Sequence, residues 1–260
     1  MILNKFSSVS LSGRLKTLSL QIIVLSLFSC NKTADITANK AFVSFTHVAY
    51  QVGPLTLRIN DLDVFTAIPF DSATGHPYAS VTSQVSNTSI LESSDTFLSG
   101  FSSFRQGAHY SIYVYDTIEA GTLEASSKSM IILQDNPPLN SDTTISIRYM
   151  NFSPSSQIGL LLINNRHAIP ISYDTVIIQP IDFVGANINP ASYVFMPILA
   201  GTYSITAFID SSRPAPDNSN FRPLGNFTFS ISSNYNFNLV GFGNDTAGQY
   251  KLQLKPVALN

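Results

Sequence analysis

The chain has one cysteine, no tryptophan and very few charges. Of its 260 residues, 12% are charged, Lys and Arg number 14 against 16 Asp and Glu, and the net charge is −2. A lone cysteine leaves nothing to pair, so the chain holds no internal disulfide and its stability comes from packing. The near-neutral balance, without a basic run, excludes the electrostatic footprint of a nucleic-acid binder. Missing tryptophan removes the commonest platform for stacking sugars. No G-x-S-x-G turn is present, so the nucleophile elbow of a hydrolase is absent. His47, His76, His109 and His167 never pair at the i+2, i+3 or i+4 spacing that a zinc site on one element needs. No stretch beyond the leader sustains a helical period over three turns. Apolar residues reach 44%, ample for a core and too many for a disordered chain.

The cysteine ends a segment of export type. Lys5, Arg14 and Lys16 form a positive start, and Leu18 to Phe28 is an apolar run. It is too short to span a bilayer, which takes about 20 residues, and has the length of a signal-peptide core. Leu27-Phe28-Ser29-Cys30 resembles a bacterial lipobox, whose cysteine is lipidated and becomes the first mature residue. The resemblance implies a signal peptide over 1–29, a lipidated Cys30 and a tether over 30–39. Two or three acyl chains anchor a protein stably, where one does not. No Asp follows the cysteine, so outer-membrane residence is expected.

The remainder repeats itself. Residues 44–61 align without a gap to 148–165, 78–93 to 193–208 and 104–114 to 229–239, at offsets of 104, 115 and 125. Three blocks in order point to two tandem copies. Both read as β. Leu55, Leu57 and Ile59 alternate with polar residues, as do Phe227 and Phe229, Phe237 and Leu239, and Leu252 and Leu254. Turn residues are frequent, among them Gly53-Pro54, Asn136-Pro137-Pro138 and Asn189-Pro190. The expected fold is all-β: two tandem immunoglobulin-like β-sandwich domains, at 40–134 and 144–260, joined by a Pro-containing linker at 135–143. Alternation puts Phe227, Phe229, Tyr235, Phe237 and Leu239 inward. Thr228, Asn236 and Asn238 then point outward or toward a neighbouring domain, so Asn238→Ala is expected to be mild and Phe237→Ala severe.

RYMNFSPSS, a strand closing on Asn-Asn, the segment AGTYSITAF and then NYNFNLVG resemble the bacterial family known as domain of unknown function 4397. The similarity covers most of 40–256. In the first copy Val85-Ser86-Asn87-Thr88 stands where the second has Ala-Gly-Thr-Tyr. The resemblance implies an envelope β-sandwich and brings no established activity and no cofactor.

Candidate chemistry is sparse. Asp61 and Asp63 suggest either a calcium loop, which needs more oxygen ligands, or a turn. Gly241-Phe242-Gly243 follows a strand with no helix behind it, so a strand-end turn is expected in place of a phosphate loop. Tyr110, Tyr113 and Tyr115 offer either sugar stacking or packing between strands or domains. Asp-Ser/Thr-apolar triplets recur, placing candidate O-glycosylation acceptors at Ser72, Thr96, Thr117, Thr175 and Thr246; the same pairs also favour turns. The sequence points to a non-enzymatic, lipid-anchored envelope protein that binds a protein or glycan partner or serves a structural role. The alternatives are a glycan-binding or glycan-processing protein and a subunit assembled by donated edge strands.

Overall fold

A computed structural model describes residues 39–49, 52–74, 78–118, 125–139, 143–153, 157–165, 175–181, 193–210, 221–231, 236–243 and 252–259. Residues 1–38, Cys30 included, lie outside them. All regular elements among these residues are strands. The first copy contains β1 (Lys40–Val48), β2 (Leu55–Ile59), β3 (Leu62–Ile68), β4 (Ser72–Ala73), β5 (Ala79–Thr82), β6 (Val85–Glu92), β7 (Asp95–Ser103), β8 (His109–Ile118) and β9 (Ala125–Asp135). The second contains β10 (Thr144–Phe152), β11 (Ile158–Asn164), β12 (Thr175–Ile181), β13 (Met196–Leu199), β14 (Gly201–Asp210), β15 (Phe221–Ile231), β16 (Asn236–Phe242) and β17 (Gln253–Leu259).

Each copy is a two-layer sandwich. In the first, an outer sheet ordered β3-β2-β6-β7 faces an inner sheet β4-β1-β8-β9, with β5 also paired to β1. In the second, β12-β11-β14-β15 faces β13-β10-β16-β17. Inside both inner sheets the central pair is parallel, β1 with β8 and β10 with β16, while the other pairings are antiparallel.

The pairing fixes how the two copies correspond. Ala41, Val43 and Phe45 fill the first core as Ile145, Ile147 and Tyr149 fill the second, at the expected offset of 104. One strand later the offset becomes 105. The Asn60 amide donates to the Asn87 carbonyl as the Asn165 amide donates to that of Thr202. A single extra residue between β10 and β11 exchanges the faces of a strand, and the ungapped match of 44–61 with 148–165 misses it. Leu160, Leu161 and Leu162 are all apolar, so composition hides the slip; Leu160 and Leu162 point into the core. The offset of 115 holds for β6 and β14. For β8 and β16 it is 127 in place of 125, since Phe45 lies beside Ile112 and Tyr149 beside Leu239.

The outer strand β2 keeps the alternation the sequence shows. In β2 the residues Leu55, Leu57 and Ile59 are buried and Thr56 and Arg58 are half-buried. Inner strands lose it. From Ile145 to Phe152 every residue of β10 is buried, and β16 is buried from Phe237 to Phe242. Both faces of these sheets are covered, as in sheets enclosed between layers. The second cover is the other copy. Tyr113, Tyr115, Ile131 and Leu133 of the first inner sheet pack on Met150, Phe152, Val240, Phe242 and Val257 of the second, forming a third apolar core. Residues Lys40–Asn260 are one compact unit. Asp135, expected to open the linker, is instead the last residue of β9 and is buried.

The Ala-Gly-Thr-Tyr segment has a packing explanation. A Cβ at Gly201 would come within 2.6 Å of the Asn164 side chain. Two residues on, the buried Tyr203 donates its hydroxyl to the Leu199 carbonyl at 2.6 Å.

Candidate functional site

Polar residues on the faces of the inner strands turned away from their own cores converge at the seam between the inner sheets, among them Asn238, which alternation places outward or toward a neighbouring domain. β8 places Ser111 and Tyr113 on the face away from its own core, and β9 places Asp135 there. From the other side β10 supplies Arg148, and Asn238 of β16 is its direct neighbour in the parallel pair. All five side chains are buried.

Their hydrogen bonds form one network. Arg148 Nη2 makes an ion pair with Asp135 Oδ1. Ser111 Oγ donates to Asp135 Oδ2 at 2.7 Å, and the Tyr78 hydroxyl donates to the same oxygen at 3.1 Å. Arg148 Nε donates to Asn238 Oδ1 at 3.0 Å. Asn238 Nδ2 in turn reaches Tyr113 Oη at 2.6 Å and Ser111 Oγ at 3.2 Å. Arg148 thus joins Asp135 of the first copy to Asn238 of the second, and Asn238 joins Arg148 of the second to Ser111 and Tyr113 of the first. The guanidinium also stacks on the Phe195 ring, 4.6 Å from its centroid.

Electrostatics follow burial. Desolvation pushes the Asp135 carboxyl up, against the downward pull of Arg148, Ser111 and Tyr78. Burial also raises the Tyr113 and Tyr78 hydroxyls far above the ordinary phenol value, keeping both protonated, Tyr78 as a donor to Asp135 and Tyr113 as an acceptor from Asn238. Both Asp135 oxygens accept from fixed donors, so this carboxylate is held as an acceptor and is not placed as a general base. A second ion pair, Lys255 with Asp71, and an edge-on contact of Phe70 with Phe242 at 5.8 Å also join the copies.

Two cavities lined by described residues open at the surface. One of about 250 Å³ lies over the seam, walled by Gln134, Asn136 and Pro138 from the end of the first copy and by Arg148, Tyr193, Val194 and Phe195 from the second. The other, about 470 Å³, sits on the flank of the first sandwich between β3 and β5, with Ile59 and Val81 in its floor and the exposed Leu62 at its edge.

The residues singled out in the sequence are scattered. Cys30 and Thr246 lie outside the described residues, as do His76 and His167. Ser72 is half-buried in β4 opposite His47, Thr96 is exposed near the start of β7, Thr117 falls in β8 opposite Ser127, and Thr175 opens β12. The structure brings none of these described positions together. Asn60 and Asp61 both have positive φ, and they close a two-residue hairpin between β2 and β3. Asp63 pairs with Arg58 at 2.7 Å. Gly241 and Phe242 belong to β16, and Gly243 (φ 97°) turns the chain after it. His47 is a core residue: Nδ1 accepts from the Ala49 amide and Nε2 donates to the Gly53 carbonyl. Desolvation lowers its pKa. Tyr110 lies in the first core, while Tyr113 and Tyr115 pack between the copies in place of stacking sugars.

Asp135 and Arg148 are the residues that sequence reasoning passed over; Asn238, placed by alternation outward or toward a neighbouring domain, is buried against the first copy. Arg148 carried one signal, a charge in the middle of an apolar strand in a chain poor in charge. Among the described residues, no group of three or more His, Cys, Asp or Glu side chains converges. No family model matches the chain, and no curated protein matches it.

Proposed function

We propose that this protein is a lipid-anchored, non-enzymatic component of a bacterial outer membrane, of the domain of unknown function 4397 kind. Its two sandwiches act as one rigid body in a binding or structural role. The observation that carries the reading is the seam. A buried ion pair, a bridging asparagine and a third apolar core fix the copies to one another. Such a joint removes the hinge that an enzyme closing between domains would use, and it holds surface loops of both copies at fixed spacing for a partner.

The anchor rests on the Leu27-Phe28-Ser29-Cys30 segment. Intact mass measurement of the purified protein tests it. Cys30 as the mature N-terminus, bearing diacylglycerol with or without an amide-linked chain, is the expected result. A mature chain starting elsewhere, or an unmodified cysteine, would overturn it. Cys30→Ser is expected to release the protein from the membrane fraction or to leave the leader uncleaved.

The glycan-binding alternative keeps one supporting observation, the cavity over the seam, whose walls mix aromatic and amide groups.

A further inference from the structure

We infer that the cavity over the seam is a subsite for one neutral pyranose unit of a glycan. The inference deepens the binding role proposed above and does not depend on the anchor. Apolar walls come from Tyr193, Val194 and Phe195, and hydrogen-bonding groups come from Gln134, Asn136 and Arg148. A sugar ring needs this mixture, because its C–H faces are apolar and its hydroxyls both donate and accept. Sites for small molecules pair an apolar lining with a few fixed polar groups and favour domain interfaces.

The donor and acceptor inventory fits hydroxyls. Gln134 Nε2 donates to Asn136 Oδ1 at 3.2 Å. The side-chain Oε1 of Gln134 and Nδ2 of Asn136 are therefore the acceptor and donor that this bond leaves unused, while the main-chain oxygen of Gln134 faces Arg148. Arg148 is anchored through Nε and Nη2, but Nη1 has only a 3.5 Å contact to the Gln134 carbonyl, at the far limit of a hydrogen bond. A ligand hydroxyl would complete it.

Charge and size narrow the class further. The guanidinium is already neutralised by Asp135, and no other lining residue is ionisable below the phenol range. An anionic ligand would find no net positive field, so a neutral sugar is favoured over a uronic acid. The volume, about 250 Å³, is below the roughly 300–1,000 Å³ of sites for drug-sized ligands. It suits a single ring of a longer chain, bound weakly and strengthened by multiple copies on a surface.

The test uses the full chain in detergent, isotope-labelled for NMR, with four probes: methyl mannopyranoside, methyl galactopyranoside, methyl N-acetylglucosaminide and sodium glucuronate. Saturation transfer to ring protons of at least one neutral probe is expected, with amide shifts centred on Gln134, Asn136 and Val194. Gln134→Ala, an exposed change, should weaken that binding about threefold to tenfold, the range for one lost hydrogen bond. Leu62→Ser, on the opposite flank cavity, should leave it unchanged. No transfer to any neutral probe, binding of glucuronate alone, or affinity indifferent to Gln134→Ala would overturn the subsite. Pyranoside binding mapped to another surface would also overturn it while leaving the binding role intact.

Discussion

Arg148→Ala tests the seam at its most demanding point. The substitution leaves Asp135 with two hydroxyl donors and no cation, in a place where the carboxylate side chain is 1% exposed. Breaking a buried pair from one side generally costs about 3–5 kcal/mol. A second route sets a ceiling, since the carboxyl can take a proton. Neutralising an acid of ordinary pKa near 4 costs about 4 kcal/mol at pH 7 and about 1.5 kcal/mol at pH 5, at 1.36 kcal/mol per unit. Urea unfolding followed by circular dichroism should therefore show Arg148→Ala destabilised by about 3–4 kcal/mol at pH 7. The deficit should shrink by about 2 kcal/mol at pH 5. Replacing the pair together, Arg148→Met with Asp135→Leu, should recover only part of the loss, because it removes the buried unpaired charge but takes the partners from the Ser111 and Tyr78 hydroxyls and from Asn238 Oδ1. A deficit below about 1 kcal/mol, or one that does not narrow with acid, would refute a dry, obligatory pair.

Other residues give independent checks. Asn238→Ala should cost about 2–3 kcal/mol in the same assay, close to Phe237→Ala, because it strands Arg148 Nε and removes the amide that donates to the Tyr113 hydroxyl; a change within about 0.5 kcal/mol would restore the mild effect that alternation suggests. Tyr149→Phe should hold or raise stability by up to about 1 kcal/mol, since the Tyr149 hydroxyl is buried with no partner among the described residues; a loss would reveal one. His47 is held neutral, its folded pKa below the ordinary value of about 6.5. The unfolded chain then binds a proton the folded one refuses. This contribution is complete above pH ~6.5 and is lost as pH falls toward the folded value, and His47→Gln should flatten that part of the profile. An unchanged slope in His47→Gln would move the effect to another group, His109 first, which burial also lowers.

The all-β class was legible because outer strands such as β2 have one dry and one wet face, and a period of two survives in the letters. Asn60-Asp61 was legible as a turn because two adjacent positive-φ positions favour such residues. The inner strands hid their second burial. Ser44, Thr46, Arg148 and Asn238 look like solvent-facing residues, and nothing local distinguishes a polar residue facing water from one facing another sheet. The extra residue before β11 was invisible for the opposite reason, because a run that is apolar throughout carries no phase. Asp135 looked like the first residue of a linker because Asn136-Pro137-Pro138 follows it, and turn residues mark where a strand has ended without showing what its last side chain holds. The candidate seam depends on residues 13 to 127 positions apart in the chain. Spacing rules for local motifs do not reach that far.

The most direct test of a single body built from two sandwiches is calorimetric unfolding of the full chain, followed in parallel by tyrosine fluorescence. One transition is expected, with the calorimetric and van't Hoff enthalpies equal and both probes coincident, because the third core and the Asp135–Arg148 pair must break before either copy unfolds alone. Phe152→Ala, at the centre of that core, should lower the midpoint and keep the transition single. Two separated transitions in the unaltered protein, with Phe152→Ala shifting neither, would show that the sandwiches are independent and that the seam does not join them.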